Sequence, residues 1–124
     1  MRIYRLITLE DWAQAQKEEC ITANQVDIAS GFMHLSPASE VLETARRYFK
    51  ADPPPLILEI ESDLLGHALK MEPVSSRNNV AFPHFYENTI RLSVIEAVHE
   101  LKDLSTQAAF SQTTPETTTI DTNI

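Results

Sequence analysis

The sequence predicts an α+β fold, and three observations predict it. Short segments such as residues 2–7 and 56–61 follow the two-residue period of a strand. Two longer segments keep helical spacing instead, residues 8–18 and 36 to about 50. Their order lacks the regular strand–helix–strand rhythm of a parallel α/β sheet, which leaves α+β, here with two main helices.

Taken in order, residues 2–7 form a first strand, with Tyr4 and Leu6 on one face and Ile3, Arg5 and Ile7 on the other. Thr8 caps a helix running through Glu18, with Asp11 at its third position and Leu9, Trp12, Ala13 and Gln16 on one stripe. Residues 20–30 carry no clear period. Residues 32–36 read as a second strand, with Met33 and Leu35 on one side and Phe32, His34 and Ser36 on the other. Ser36-Pro37 then starts the second helix, serine as cap and proline in the first turn. Ala38, Val41, Leu42, Ala45, Tyr48 and Phe49 form its apolar stripe, and the triple proline 53–55 ends the segment. A third strand is expected at 56–61, a turn at 63–66, a fourth strand at 67–72, and a polar loop at 73–81. One or two further strands follow within 82–86 and 90–98.

The chain has 124 residues, which fits one domain, read here as residues 1–104. From Ser105 to the end the composition changes to seven threonines, one proline and a single bulky aromatic, Phe110. Such a stretch buries too little apolar surface to offset its ordering entropy and is expected to be a flexible tail.

Composition excludes several function classes. Two glycines, Gly31 and Gly66, cannot build a glycine-rich phosphate loop or a dinucleotide fingerprint. The lone Cys20 excludes a disulfide framework, a cysteine zinc site and a CxxC redox pair. A net charge of −8 opposes binding to nucleic acid through its phosphates. Arg5, Glu10 and Asp11 break the N-terminal apolar stretch, so no signal-peptide core is expected, and no apolar run approaches a membrane span. A cytoplasmic protein is the resulting expectation.

Three places could carry chemistry. Arg5 lies between Ile3 and Ile7 on an apolar strand face, so it must either pair with a core carboxylate or hold an anion, because a lone buried cation is costly. His34 and Ser36 share a face, roughly 7 Å apart along a strand, just before a helix start. Together with helix N–H groups they would make an anion cradle; in the plainer reading Ser36 only caps and His34 bonds a carbonyl. Phe82-Pro83-His84-Phe85-Tyr86 concentrates aromatics around a histidine, which fits a stacking surface or a strand edge packed into the core. His34, Glu72 and His84 could share a metal only through the fold, and no local ligand spacing supports one, so no metal is expected.

These segments resemble a small bacterial family, domain of unknown function 952. The resemblance rests on Ile3-Tyr4-Arg5-Leu6 and Trp12, on Gly31-Phe32-Met33-His34-Leu35-Ser36, on Tyr48-Phe49 and Leu56-Ile57-Leu58, on Leu69-Lys70-Met71-Glu72, and on Phe82-Pro83-His84-Phe85-Tyr86. It covers residues 2 to 98. It implies an ADP-ribosyltransferase-like fold, in which a split, strongly bent sheet holds NAD in a central cleft. By that resemblance Arg5 and His34 contact the dinucleotide with Ser36 in support. His84 joins the ligand-binding residues, Phe49 and Tyr86 stack on the ligand, and Glu72 and His34 are the catalytic candidates.

Three readings stay open on this basis. The first is an enzyme acting on NAD or a related nucleotide, of ADP-ribosyltransferase or NAD-glycohydrolase type. The second is a non-catalytic module that uses the same pocket for a nucleotide, a sugar phosphate or a peptide, the partner expected being a small-molecule nucleotide or phosphate ligand. The third is an interaction protein that meets its partner through the tail or a sheet edge.

Overall fold

The computed structural model describes residues 1–101, so the expected tail at 105–124 lies outside the described residues. Nine strands and three α-helices follow in the order β1 (Arg2–Ile7), α1 (Leu9–Glu18), β2 (Cys20–Thr22), α2 (Gln25–Ser30), β3 (Met33–His34), β4 (Ser36–Pro37), α3 (Val41–Tyr48), β5 (Leu56–Glu61), β6 (Leu69–Val74), β7 (Val80–Phe85), β8 (Thr89–Arg91) and β9 (Ile95–Glu100). Short 3-10 turns connect β5 to β6, β6 to β7 and β8 to β9. All pairings are antiparallel, in three sheets ordered β4-β1-β5-β9, β2-β8 and β3-β7-β6. The fold is α+β, as the alternation of periods predicts.

The four-stranded sheet is covered on both faces. Tyr4, Leu6 and Ile57 point to α3, where they pack with Ala38, Val41, Leu42 and Ala45. Ile3, Ile7, Leu58 and Ile60 point the other way and meet Met33, Leu35, Phe85, Ile21 and Ile90 from the two smaller sheets. Each such fully buried aliphatic side chain contributes about 1.5–3 kcal/mol. Arg5 belongs to this second face, so its guanidinium points between the sheets rather than into water.

Helix α1 begins as its sequence dictates: Thr8 accepts a hydrogen bond from the Asp11 backbone N–H at 3.1 Å. The expected strand at 32–36 is instead two strands in different sheets. Met33 and His34 pair with Phe85 and His84, and after Leu35 the chain crosses over so that Pro37 and Ser36 pair with Ile3 and Tyr4. The reading of Ser36 as a helix cap is therefore corrected. Its backbone belongs to the β1 ladder and its hydroxyl lies 3.5 Å from Thr44 Oγ1, while the helix starts later, at Val41. No side chain caps that helix. Instead buried Arg77 donates to the Glu40 carbonyl, the Glu40 carboxylate and Thr44 Oγ1, and its guanidinium lies 4.8 Å from the centre of the Phe82 ring.

The unpatterned stretch at 20–30 holds β2 and the short helix α2. Asn24 and Asp27 form a reciprocal capping box at the start of α2. Gly31 ends it at a φ of +87°, a left-handed position that suits glycine. The expected fourth strand lies two residues later than read, and the expected polar loop at 73–81 shrinks to the turn before Val80. No helix of the described residues is long and apolar enough to cross a membrane.

Candidate functional site

The outer face of the β3-β7-β6 sheet gathers most of the unusual side chains. Directly opposed residues of an antiparallel pair point to the same face. The register His34↔His84 and Lys70↔His84 therefore lines up two imidazoles and an ammonium group across three strands. Glu72 sits two residues from Lys70 on the same side of β6. Gly31 turns the chain out of α2 and delivers Phe32 onto this face. The Phe32 ring stacks on His84, with centroids 3.9 Å apart and planes 21° apart. The same ring lies 4.6 Å from His34 and 5.5 Å from Tyr86.

Asp27 underlies the site. Its Oδ1 lies 2.7 Å from His34 Nδ1 and also accepts from the His34 backbone N–H at 3.0 Å. Oδ2 accepts from the Asn24 backbone N–H at 2.9 Å. Arg5 closes the group as a two-pronged partner, Nη2 to Oδ2 at 2.7 Å and Nη1 to Oδ1 at 3.2 Å. Nη1 also donates to the His34 carbonyl at 2.9 Å. Burial alone would raise the Asp27 carboxyl. The hydrogen bonds from His34 and Arg5, the Arg5 charge and the Asn24 N–H outweigh it and hold the group well below the usual carboxylate range.

A fixed carboxylate determines what the imidazole can do. An ionised carboxylate only accepts, so His34 Nδ1 carries the proton and donates it. Nε2 is left facing outward, and among the described residues no hydroxyl or thiol is hydrogen-bonded to it. This is the orienter–imidazole half of a nucleophilic triad, with no nucleophile among the described residues.

The second histidine repeats the motif with a different carboxylate. His84 Nδ1 lies 2.8 Å from Glu72 Oε1, and the Tyr86 hydroxyl donates to the same oxygen at 2.5 Å. The Tyr86 and His84 hydrogen bonds lower the Glu72 carboxyl, and the same contact with Glu72 raises the Tyr86 phenol. The two imidazole centroids are 6.3 Å apart.

The structure thus brings His34, Glu72, His84 and Tyr86 to one face and sends three other expected site residues elsewhere. Arg5 is 4% exposed and holds Asp27, so of its two readings the structure shows the ion pair. Ser36 is buried against Thr44. Phe49 packs beside the α3 core and, together with Arg5, lines a cleft of about 210 Å³ between β1, α1 and β2. Among the described residues no group of three His, Cys, Asp or Glu side chains is arranged to hold a metal ion. Sequence reasoning missed Asp27 and Phe32 as parts of the site. The Asn24–Asp27 spacing with Gly31 after it was the available signal: it marks a capped helix turn, and with it a carboxylate placed just ahead of His34.

Fold and site together define a small α+β protein whose outer sheet face presents two carboxylate-backed histidines beside aromatic rings. The family model described as "Protein of unknown function (DUF952)" matches residues 6–98, and the chain belongs to that family. Among solved structures it is similar to the crystal structure of protein CC0527 from Caulobacter crescentus, with 29% identity over 81% of this chain and 85% of that one, at a TM-score of 0.74. A double mutant of CC0527 (27% identity over 81% and 85%, TM-score 0.73) and its solution NMR structure (29% over 80% and 83%, TM-score 0.68) are similar as well. No curated protein matches the chain.

Proposed function

We propose that the face formed by Phe32, His34, Glu72, His84 and Tyr86 binds a nucleotide of the NAD or ADP-ribose class, and that the bent sheets belong to the ADP-ribosyltransferase-like architecture. The observation that carries the reading is the Arg5–Asp27–His34 chain, which aims a free imidazole Nε2 at a surface already walled by aromatic rings. A flat heterocycle stacks on such rings, and an imidazole serves either a ribose hydroxyl or a phosphate oxygen. Arg5 serves this site only through Asp27, as a positioning residue.

Cleavage of a nicotinamide–ribose bond builds positive charge on the sugar, which a nearby carboxylate stabilises. Glu72 is the carboxylate of this face; water bonds to the sugar carbon as nicotinamide leaves with the bonding electron pair, and His34 Nε2 takes the proton the water loses. One observation favours binding without turnover. The face is open, with the Glu72 side chain 36% exposed, so nothing around it excludes water from a reacting bond.

Titration with NAD, ADP-ribose and AMP, followed through the imidazole C–H signals, tests the reading, with free nicotinamide assayed in parallel. Nicotinamide release that disappears in Glu72→Gln and His34→Ala supports an enzyme. Imidazole shifts without release support a binding module. Unmoved His34 and His84 signals overturn both.

A further inference from the structure

We infer that His34, His84 and Lys70 form a phosphate-binding strip across the three strands of the smaller sheet, with Lys70 as its fixed positive charge. This rests on the reading of the face as a ligand site and deepens it by naming the class of ligand group and where it lies. Three observations converge. The first is register: His84 stands opposite His34 on one side and opposite Lys70 on the other, so three side chains form a row along one face. Neighbouring strands are about 4.8 Å apart, so the row spans roughly 10 Å, wide enough for more than one phosphoryl oxygen to be held at once.

The second is what each group has left to offer. Both histidines point Nδ1 at a carboxylate, so in the imidazolium form each has Nε2–H left to donate, from a side chain 40% exposed in His34 and 12% exposed beside Phe32 in His84. Lys70 is exposed and makes no close ion pair with any described residue, its charge acting on Glu72 only at longer range. Glu72, the nearest carboxylate on its strand, already accepts from His84 and Tyr86. The third is contrast. The chain carries a net charge of −8, and the two arginines buried beside this region, Arg5 and Arg77, are paired with Asp27 and Glu40. Lys70 is then the cation this face can give to an anion. It also occupies the role that the resemblance assigned to Arg5.

The ligand group that fits is a phosphomonoester or pyrophosphate, with the rest of the molecule reaching past Phe32 toward Tyr86. Calorimetric titration of the full chain with inorganic pyrophosphate, ADP-ribose and adenosine tests this. Pyrophosphate and ADP-ribose are expected to bind and to move the His34 and His84 signals. Lys70→Met should weaken both about tenfold, the size of one charge-assisted contact, while Lys70→Arg restores most of the affinity. Affinity should also fall as salt rises. Unchanged pyrophosphate affinity in Lys70→Met overturns the strip, and ADP-ribose binding indifferent to Lys70 does so while leaving the nucleotide reading standing. Lys70-dependent pyrophosphate binding without ADP-ribose binding leaves the strip standing and overturns the nucleotide reading. No binding of either anion overturns both.

Discussion

The two histidine–carboxylate pairs of this face have nearly the same bond length and opposite surroundings. In Asp27–His34 the carboxylate side chain is 1% exposed and the imidazole 40%; in Glu72–His84 the carboxylate is 36% exposed and the imidazole 12%. Burial on the carboxylate side makes the first pair part of the core, since Asp27 also holds Arg5, the start of α2 and the His34 backbone. The second pair costs little desolvation and holds little besides Tyr86. One arrangement anchors a half-exposed imidazole to the fold, and the other decorates a strand. Distance alone would not separate them; what each carboxylate must otherwise satisfy does.

The largest expected difference is in stability. Asp27→Asn leaves the Arg5 charge buried beside a neutral partner and should cost about 3 kcal/mol or more in urea unfolding. Glu72→Gln should leave the midpoint close to wild type. Equal losses in the two variants would dissolve the comparison.

Acid unfolding sharpens it further. The folded Asp27 carboxyl titrates below its unfolded value, so on acidification the unfolded chain takes up this proton first. The stabilisation is complete above about pH 4 and drains away as pH falls further toward the folded value. Wild type should therefore lose stability steeply below about pH 4, whereas Asp27→Asn, already weaker at neutral pH, should show a much shallower slope. A slope unaffected by that substitution would place the acid sensitivity elsewhere.

A smaller effect isolates the cap. Asn24 Oδ1 accepts from the Asp27 backbone N–H, and Asn24→Ala should cost about 1 kcal/mol by thermal or urea unfolding. The His34 signals should move while those of His84 stay in place. The smallest effect is spectroscopic. The Glu72 carboxylate raises the Tyr86 phenol, so Glu72→Gln should shift part of the tyrosine absorbance titration to lower pH with no change in folding. A tyrosine titration identical in both proteins would remove Tyr86 from the second pair.

Much of this was legible in the residues. The strand at 2–7, the Thr8-capped helix and the strand at 56–61 follow from local period and capping chemistry. That His34, Glu72, His84 and Tyr86 belong together was implied only by the family resemblance, because alternation within a strand does not show which strands pair. Asp27 was not legible as a partner, because β2 and α2 are three and six residues long, too short to show a period. The misplaced role of Ser36 has a different cause. Alternation alone cannot show that a chain leaves one sheet for another after a single residue. Nor does it show which cluster an aromatic such as Phe49 joins, since helix direction is set by packing partners far along the chain.

That single residue has a mechanical consequence. Leu35 stands between the strand that pairs with His84 and the strand that pairs with Tyr4, and its own N–H donates to the Pro83 carbonyl at 3.3 Å. A pivot of one sheet against the other would have to tear one of these ladders, leaving no slack for the jaw-like closure that many clefts use. The histidine face is thereby held to the four-stranded sheet by a link of one residue.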